Sequence, residues 1–151
     1  MIKTKRSAKI VITLMTLMML LSAMAISVSA DSRDGTFSYM FNGSTARTEP
    51  RLKEDRSSIY MYSATADISY IASAVGTNNG VEYSDCSCTS RYTYTFNKGD
   101  KRFMYNSVNE DGFSYAAVSA GASTHGYAVG AWSPDSVPQS GVLPPSDYNK
   151  E

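Results

Sequence analysis

RYTYTF (91–96), NKGD (97–100), KRFMYNSV (101–108), NEDG (109–112) and FSYAAVSA (113–120) follow one another without a break. In the first run Tyr92, Tyr94 and Phe96 fall on one side, with Arg91, Thr93 and Thr95 on the other. Phe103, Tyr105 and Ser107 alternate with Arg102, Met104 and Asn106 in the second run. Phe113, Tyr115 and Ala117 alternate with Ser114, Ala116 and Val118 in the third. Successive side chains of a strand point to opposite faces, so a period of two marks a half-buried strand. Asn97 and Gly99, then Asn109 and Gly112, sit in the two intervening tetrapeptides. Glycine supplies the positive φ of a tight turn, and the Asn side chain bonds the local backbone. The stretch therefore predicts a three-stranded antiparallel meander, each strand placing aromatic rings on one face.

The same alternation extends outward. Residues 36–41 read as a first strand, closed by Asn42-Gly43-Ser44, which is a turn and also a glycosylation sequon. Residues 57–65 place Ile59 and Met61 opposite Tyr60 and Tyr62. Residues 67–75 place Ile71 and Val75 opposite Tyr70, Ala72 and Ala74. Gly76-Thr77-Asn78-Asn79-Gly80 carries hairpin-turn chemistry, and Val81-Glu82-Tyr83 resumes the alternation. Residues 127–132 form a last strand in which Gly130 admits a close neighbour. Between the first two strands, residues 45–55 mix Arg47, Arg51 and Lys53 with Glu49, Glu54, Asp55 and Pro50, and read as a solvated crossing loop. The spacing of turns predicts an all-β fold, a small antiparallel β-sandwich of about seven or eight strands.

The N-terminus reads differently. Lys3, Lys5, Arg6 and Lys9 precede an uncharged apolar run over 10–28, and Val28-Ser29-Ala30 has the small residues of a cleavage site. This is the pattern of a secretory signal helix, cleaved after Ala30, with a retained N-terminal anchor as the alternative. The expected organisation is a signal peptide over 1–30, a sandwich domain over 31–133 and a Pro-rich flexible tail over 134–151. The whole chain has 14 Lys+Arg and 14 Asp+Glu, but the leader holds four of the bases and none of the acids. The mature part is therefore mildly acidic. Nucleic-acid affinity rests on neutralising phosphates, so a chain without a basic cluster is not expected to bind it. All 11 tyrosines lie beyond the leader, where Leu is reduced to Leu52 and Leu143. The core must then be built from Tyr, Phe, Ile, Val, Met and Ala.

Cys86 and Cys88 are the two cysteines. Export permits a disulfide between them, but two residues of one strand sit near the outer limit for bridging, so a bend is required there. A metal site would need four ligands, and two thiols with the distant His125 fall short. His125 lies beside Ser123 and Thr124, yet adjacency in sequence does not make a nucleophile–base pair. Glu54-Asp55 and Glu110-Asp111 lack the ligand spacing of a calcium loop. What remains is a surface: Tyr92, Tyr94, Tyr105 and Tyr115 form the candidate aromatic binding face, since such rings stack on sugars or pack against proteins.

Residues 102–115 (RFMYNSVNEDGFSY) and 130–136 (GAWSPDS), together with the leader, resemble a family of small secreted β-rich proteins of Gram-positive bacteria. That resemblance implies a β fold and no particular reaction. A second similarity is to lactococcin-972-like bacteriocins, which are also small, secreted and β-sandwich in fold. The expectation is a secreted, non-enzymatic module that binds a protein or cell-envelope ligand, without cofactor, metal, nucleic acid or a stable membrane span. The alternative is a bacteriocin-like toxin acting on the envelope of a related bacterium.

Overall fold

The computed structural model describes residues 34–87 and 89–149; the leader, its cleavage site and Cys88 lie outside them. Ten strands follow in chain order: β1 (Gly35–Phe41), β2 (Ala46–Arg47), β3 (Arg51–Leu52), β4 (Ile59–Ala66), β5 (Tyr70–Thr77), β6 (Ser84–Asp85), β7 (Tyr94–Phe96), β8 (Lys101–Met104), β9 (Tyr115–Gly121) and β10 (Gly126–Ser133). They make an all-β sandwich of two antiparallel sheets, with no helix among the described residues. One sheet runs β1-β10-β4-β8. The other is built on the β5–β9 pair, with β2 and β3 along β9 and with β6 and β7 along β5.

Alternation decides which residues meet between the sheets. Phe37, Tyr39 and Phe41 of β1 are buried while Thr36, Ser38 and Met40 are exposed. Ile59 and Met61 of β4, with Ala128 and Trp132 of β10, complete that side of the core. Tyr70, Ala72 and Ala74 of β5, Tyr94 and Phe96 of β7, and Ala116, Val118 and Ala120 of β9 supply the other. The small side chains of β5 and β9 leave room for the rings of β1. Tyr39 meets Tyr70 edge-on at 6.0 Å between centroids, Phe41 meets it at 5.3 Å, and Tyr70 stacks on Phe96 at 5.5 Å. Tilted and offset rings avoid the repulsion of a face-to-face sandwich and contribute beyond their buried area.

The predicted meander is not formed. Its three strands exist, but none pairs with another. β7 joins β5, β8 joins β4 in the opposite sheet, and β9 joins β5. The 97–100 turn forms as its residues suggest, with Gly99 at φ 89° and the Asp100 amide donating to Asn97 O at 3.2 Å. Its backbone is then captured by β4: Gly99 N–H donates to Ser63 O at 2.7 Å, and Ser63 N–H donates to Asp100 O at 2.9 Å. The chain therefore changes sheets at the turn instead of folding back. Residues 105–114 carry it back again, turning at Gly112 (φ 83°).

Two stretches expected to be solvated are partly drawn into the sandwich. The charged connection over 45–55 contributes β2 and β3, and Lys53 is fully buried. The Pro-rich segment after Ser133 is tied to the sandwich by backbone hydrogen bonds. Leu143 N–H donates to Lys101 O at 2.9 Å and Phe103 N–H to Leu143 O at 2.9 Å, so the segment covers the outer edge of β8. Covering an edge removes a row of unpaired backbone groups that would otherwise recruit another strand.

Tyr39 donates from its buried hydroxyl to Val118 O at 3.2 Å, linking the two sheets. Burial, then the neighbouring Tyr70, pushes the Tyr39 hydroxyl well above the ordinary value of 10.0. Burial pushes Tyr70 up to about 12. Below pH ~10 these tyrosines are neutral whether the chain is folded or not; above it only the unfolded chain ionises freely. Stability is therefore expected to fall as pH rises from ~10 through ~12. In an alkaline titration the last tyrosinate absorbance should appear together with loss of the near-ultraviolet dichroism.

Candidate tyrosine surface and a buried charge cluster

Three tyrosines from distant parts of the chain meet beside the start of β7 and the end of β8. Tyr92 lies 5.0 Å from Tyr105 and 4.8 Å from Tyr148 between ring centroids, and Tyr105 lies 6.5 Å from Tyr148. Tyr105 is 40% exposed, Tyr92 and Tyr148 are half-buried, and the exposed Arg91 sets its guanidinium 5.2 Å from the Tyr92 ring. The rings stand at 54°, 83° and 60° to one another, so they form a faceted knob and not a flat platform.

The knob is held from beneath. Tyr94 is fully buried and its hydroxyl does two jobs, donating to Pro145 O at 2.8 Å and accepting from Tyr105 N–H at 2.9 Å. Asn149 N–H donates to Thr93 O at 2.8 Å, and the Thr95 hydroxyl donates to the Asn149 side chain at 3.0 Å. Arg102 donates to Asp147 Oδ2 at 2.6 Å and to Asp147 O at 3.1 Å. Two bonds from one guanidinium nitrogen, one of them to a carboxylate, orient the chain as well as holding it. These bonds fix Tyr148 against Tyr92 and Tyr105.

Of the four tyrosines expected to make one face, two do so. Tyr92 and Tyr105 belong to the knob, Tyr94 supports it from the core, and Tyr115 stands apart at the start of β9, opposite Leu52 and Thr77. The split follows from the strand pairing: β8 and β9 are in different sheets. Tyr148 was concealed in the Pro-rich segment, where no periodicity marks it.

The second assembly is ionic. Lys53 Nζ donates to Asp135 Oδ1 at 2.5 Å and to Ser57 O at 2.8 Å, and both charged side chains are 0% exposed. Asp135 Oδ2 accepts from Glu54 N–H at 3.0 Å and Oδ1 from Asp55 N–H at 3.3 Å. Asp55 Oδ1 lies 3.6 Å from Nζ. Burial raises the Asp55 carboxyl, but the Ser57 hydroxyl and amide, the contact with Asp135 and the Lys53 charge together outweigh it and leave it below the usual range. The cluster joins the residue following β3 in one sheet to the residues following β10 in the other.

The remaining groups are local. Ser107 donates to Asp111 at 2.6 Å and Ser87 N–H at 2.7 Å, and these bonds hold that carboxyl below its usual range. Glu110 faces Arg56 at 3.7 Å. His125 is exposed in the turn between β9 and β10. Among the described residues, no group of three His, Cys, Asp or Glu side chains is gathered as a metal site would require. Cys86 is buried; Thr89 N–H donates to Cys86 O at 2.9 Å, and Cys86 N–H donates to Thr89 Oγ1 at 2.7 Å. A hollow of about 710 Å³ opens on the six-stranded sheet, with Thr45, Ser69, Ser73, Thr95 and Ser119 among its lining residues.

A family model described as protein of unknown function (DUF2712) matches residues 21–136, and the chain belongs to that family. No curated protein and no solved structure matches the chain. The matched span takes in Lys53, Asp55, Asp135, Tyr92 and Tyr105, and ends before Tyr148.

Proposed function

We propose that the protein is an exported, non-enzymatic binding module of a Gram-positive bacterium, and that it engages a cell-envelope ligand through the Tyr92–Tyr105–Tyr148 knob. The observation that supports this is the knob itself. Three aromatic side chains are gathered partly in solvent, with the buried Tyr94 hydroxyl bonded to Pro145 O and Tyr105 N–H beneath them. Tyrosine favours such roles because its ring contributes contact area at low entropic cost while its hydroxyl stays hydrated. Export is supported by the leader pattern over 1–30, and the mildly acidic mature chain suits a neutral or basic envelope component.

The test is sedimentation of the purified mature protein with insoluble envelope material from a Gram-positive bacterium. Tyr105→Ala and Tyr92→Ala are expected to weaken binding about tenfold or more, the usual reach of an aromatic hot spot. Tyr115→Ala, away from the knob, should bind as the wild type does. Equal binding by all three variants would remove the knob from the reading. Growth inhibition of related strains by the purified protein would replace the module with the bacteriocin-like toxin.

A further inference from the structure

We propose that Lys53 and Asp135 condense within the folded chain into an intramolecular amide, a covalent tie between the two sheets, with Asp55 carrying the proton. The inference does not depend on the tyrosine knob. It rests on a lysine and an aspartate in direct contact, both wholly removed from water, with a second carboxylate beside them.

A buried charge pair is poorly solvated. At 2.5 Å the proton on Lys53 Nζ can pass directly to Asp135 Oδ1, leaving an amine against a carboxylic acid. The nitrogen lone pair then attacks Asp135 Cγ, and the Nζ–Cγ bond forms. Charge collects on Oδ2, which the Glu54 N–H faces at 3.0 Å, the position of an oxyanion donor. Asp55 takes one proton from the nitrogen and delivers it to Oδ1. The Cγ–Oδ1 bond breaks, one water leaves, and Asp55 returns to its ionised form. The hydrogen left on Nζ still donates to Ser57 O, which lies 2.8 Å away. Nothing is oxidised or reduced, and no other reactant is needed. Condensation of an amine with an acid is unfavourable between separate molecules in water. Groups held in contact by a fold act at effective concentrations of about 10⁵–10⁸ M, and exclusion of water opposes the reverse step.

The geometry also assigns distinct roles. Oδ1 contacts the nucleophile and is the oxygen that leaves. Oδ2 keeps its amide donor before and after the reaction. Asp55 is partly open to solvent, with its side chain 45% exposed, so the released water has a way out past it.

The experiment is denaturing mass spectrometry of the purified mature protein, followed by proteolysis. The expected mass is lower than that of the sequence by one water, with a single branched peptide joining the Lys53 and Asp135 segments. Lys53→Arg and Asp135→Ala should restore the full mass. Asp55→Asn keeps the Lys53–Asp135 contact and should accumulate unreacted chain. Wild-type protein at full mass, with no branched peptide, would leave an ordinary buried ion pair and overturn the proposal. That measurement is decisive even where a variant does not fold. Complete water loss in Lys53→Arg would place the modification elsewhere and overturn it equally, and complete reaction in Asp55→Asn would overturn the proton transfer through Asp55.

Discussion

Asp135→Ala is expected to lower the stability of the sandwich by about 3–5 kcal/mol, because it removes the Lys53–Asp135 tie, ionic or amide, and leaves the Lys53 charge in a buried site. The figure belongs at the upper end for three reasons. The carboxylate accepts from Lys53 Nζ, Glu54 N–H and Asp55 N–H, so its removal takes one acceptor from three donors at once. The Lys53 side chain is 0% exposed. The pair also fastens residues of the six-stranded sheet to residues of the four-stranded one, so the loss is felt by the packing between them. Urea unfolding followed by tryptophan fluorescence gives the measurement, because Trp132 is three residues from Asp135 and buried. A shift of the midpoint worth less than about 1 kcal/mol would mean that the pair is solvated in solution, since that is the value of an exposed ion pair.

This cluster also shows where sequence reading stops. Lys53 sits among five other charged residues between 47 and 55, and Asp135 follows Pro134 in a stretch with little hydrophobicity. Nothing local distinguishes them from solvated charges; their partnership spans 82 positions and exists only once β3 and β10 have been placed. Faces, by contrast, were legible. The alternation assigned Ile59 and Met61, and Tyr70, Ala72 and Ala74, to single faces, and the buried residues match. Period two is a property of one strand, so one strand suffices to read it. Partners were not legible. A four-residue turn with Asn and Gly is compatible with a hairpin and with a crossing between sheets, and Ser63, 36 residues before Gly99, chose the crossing. The tyrosine knob failed to be read for the same reason, because its third ring arrives from position 148 through bonds to Pro145, Asp147 and Asn149.

Gly130→Ala is expected to have an effect of similar size from a single added methyl. Gly130 lies in β10 where its register with β4 shifts between Val129 and Ala131. A Cβ there would stand 1.9 Å from Tyr62 O and 2.8 Å from the Phe37 ring. The ring could turn aside, but the carbonyl belongs to the backbone of β4, which is paired on its other side with β8. Relief therefore requires β10 and β4 to separate, and β10 is the strand that joins β1 to the rest of its sheet. Overpacking a well-filled core costs about 1–3 kcal/mol where side chains can adjust, and a clash with fixed backbone belongs at or above the top of that range. Gly121→Ala is the matched control: nothing lies within 4 Å of its Cβ position and its φ is ordinary, so the melting temperature should hardly move. A melting temperature for Gly130→Ala close to that of Gly121→Ala would show that β10 and β4 are further apart in solution than this packing requires. The bulge, and the sheet order built across it, would then have to be redrawn.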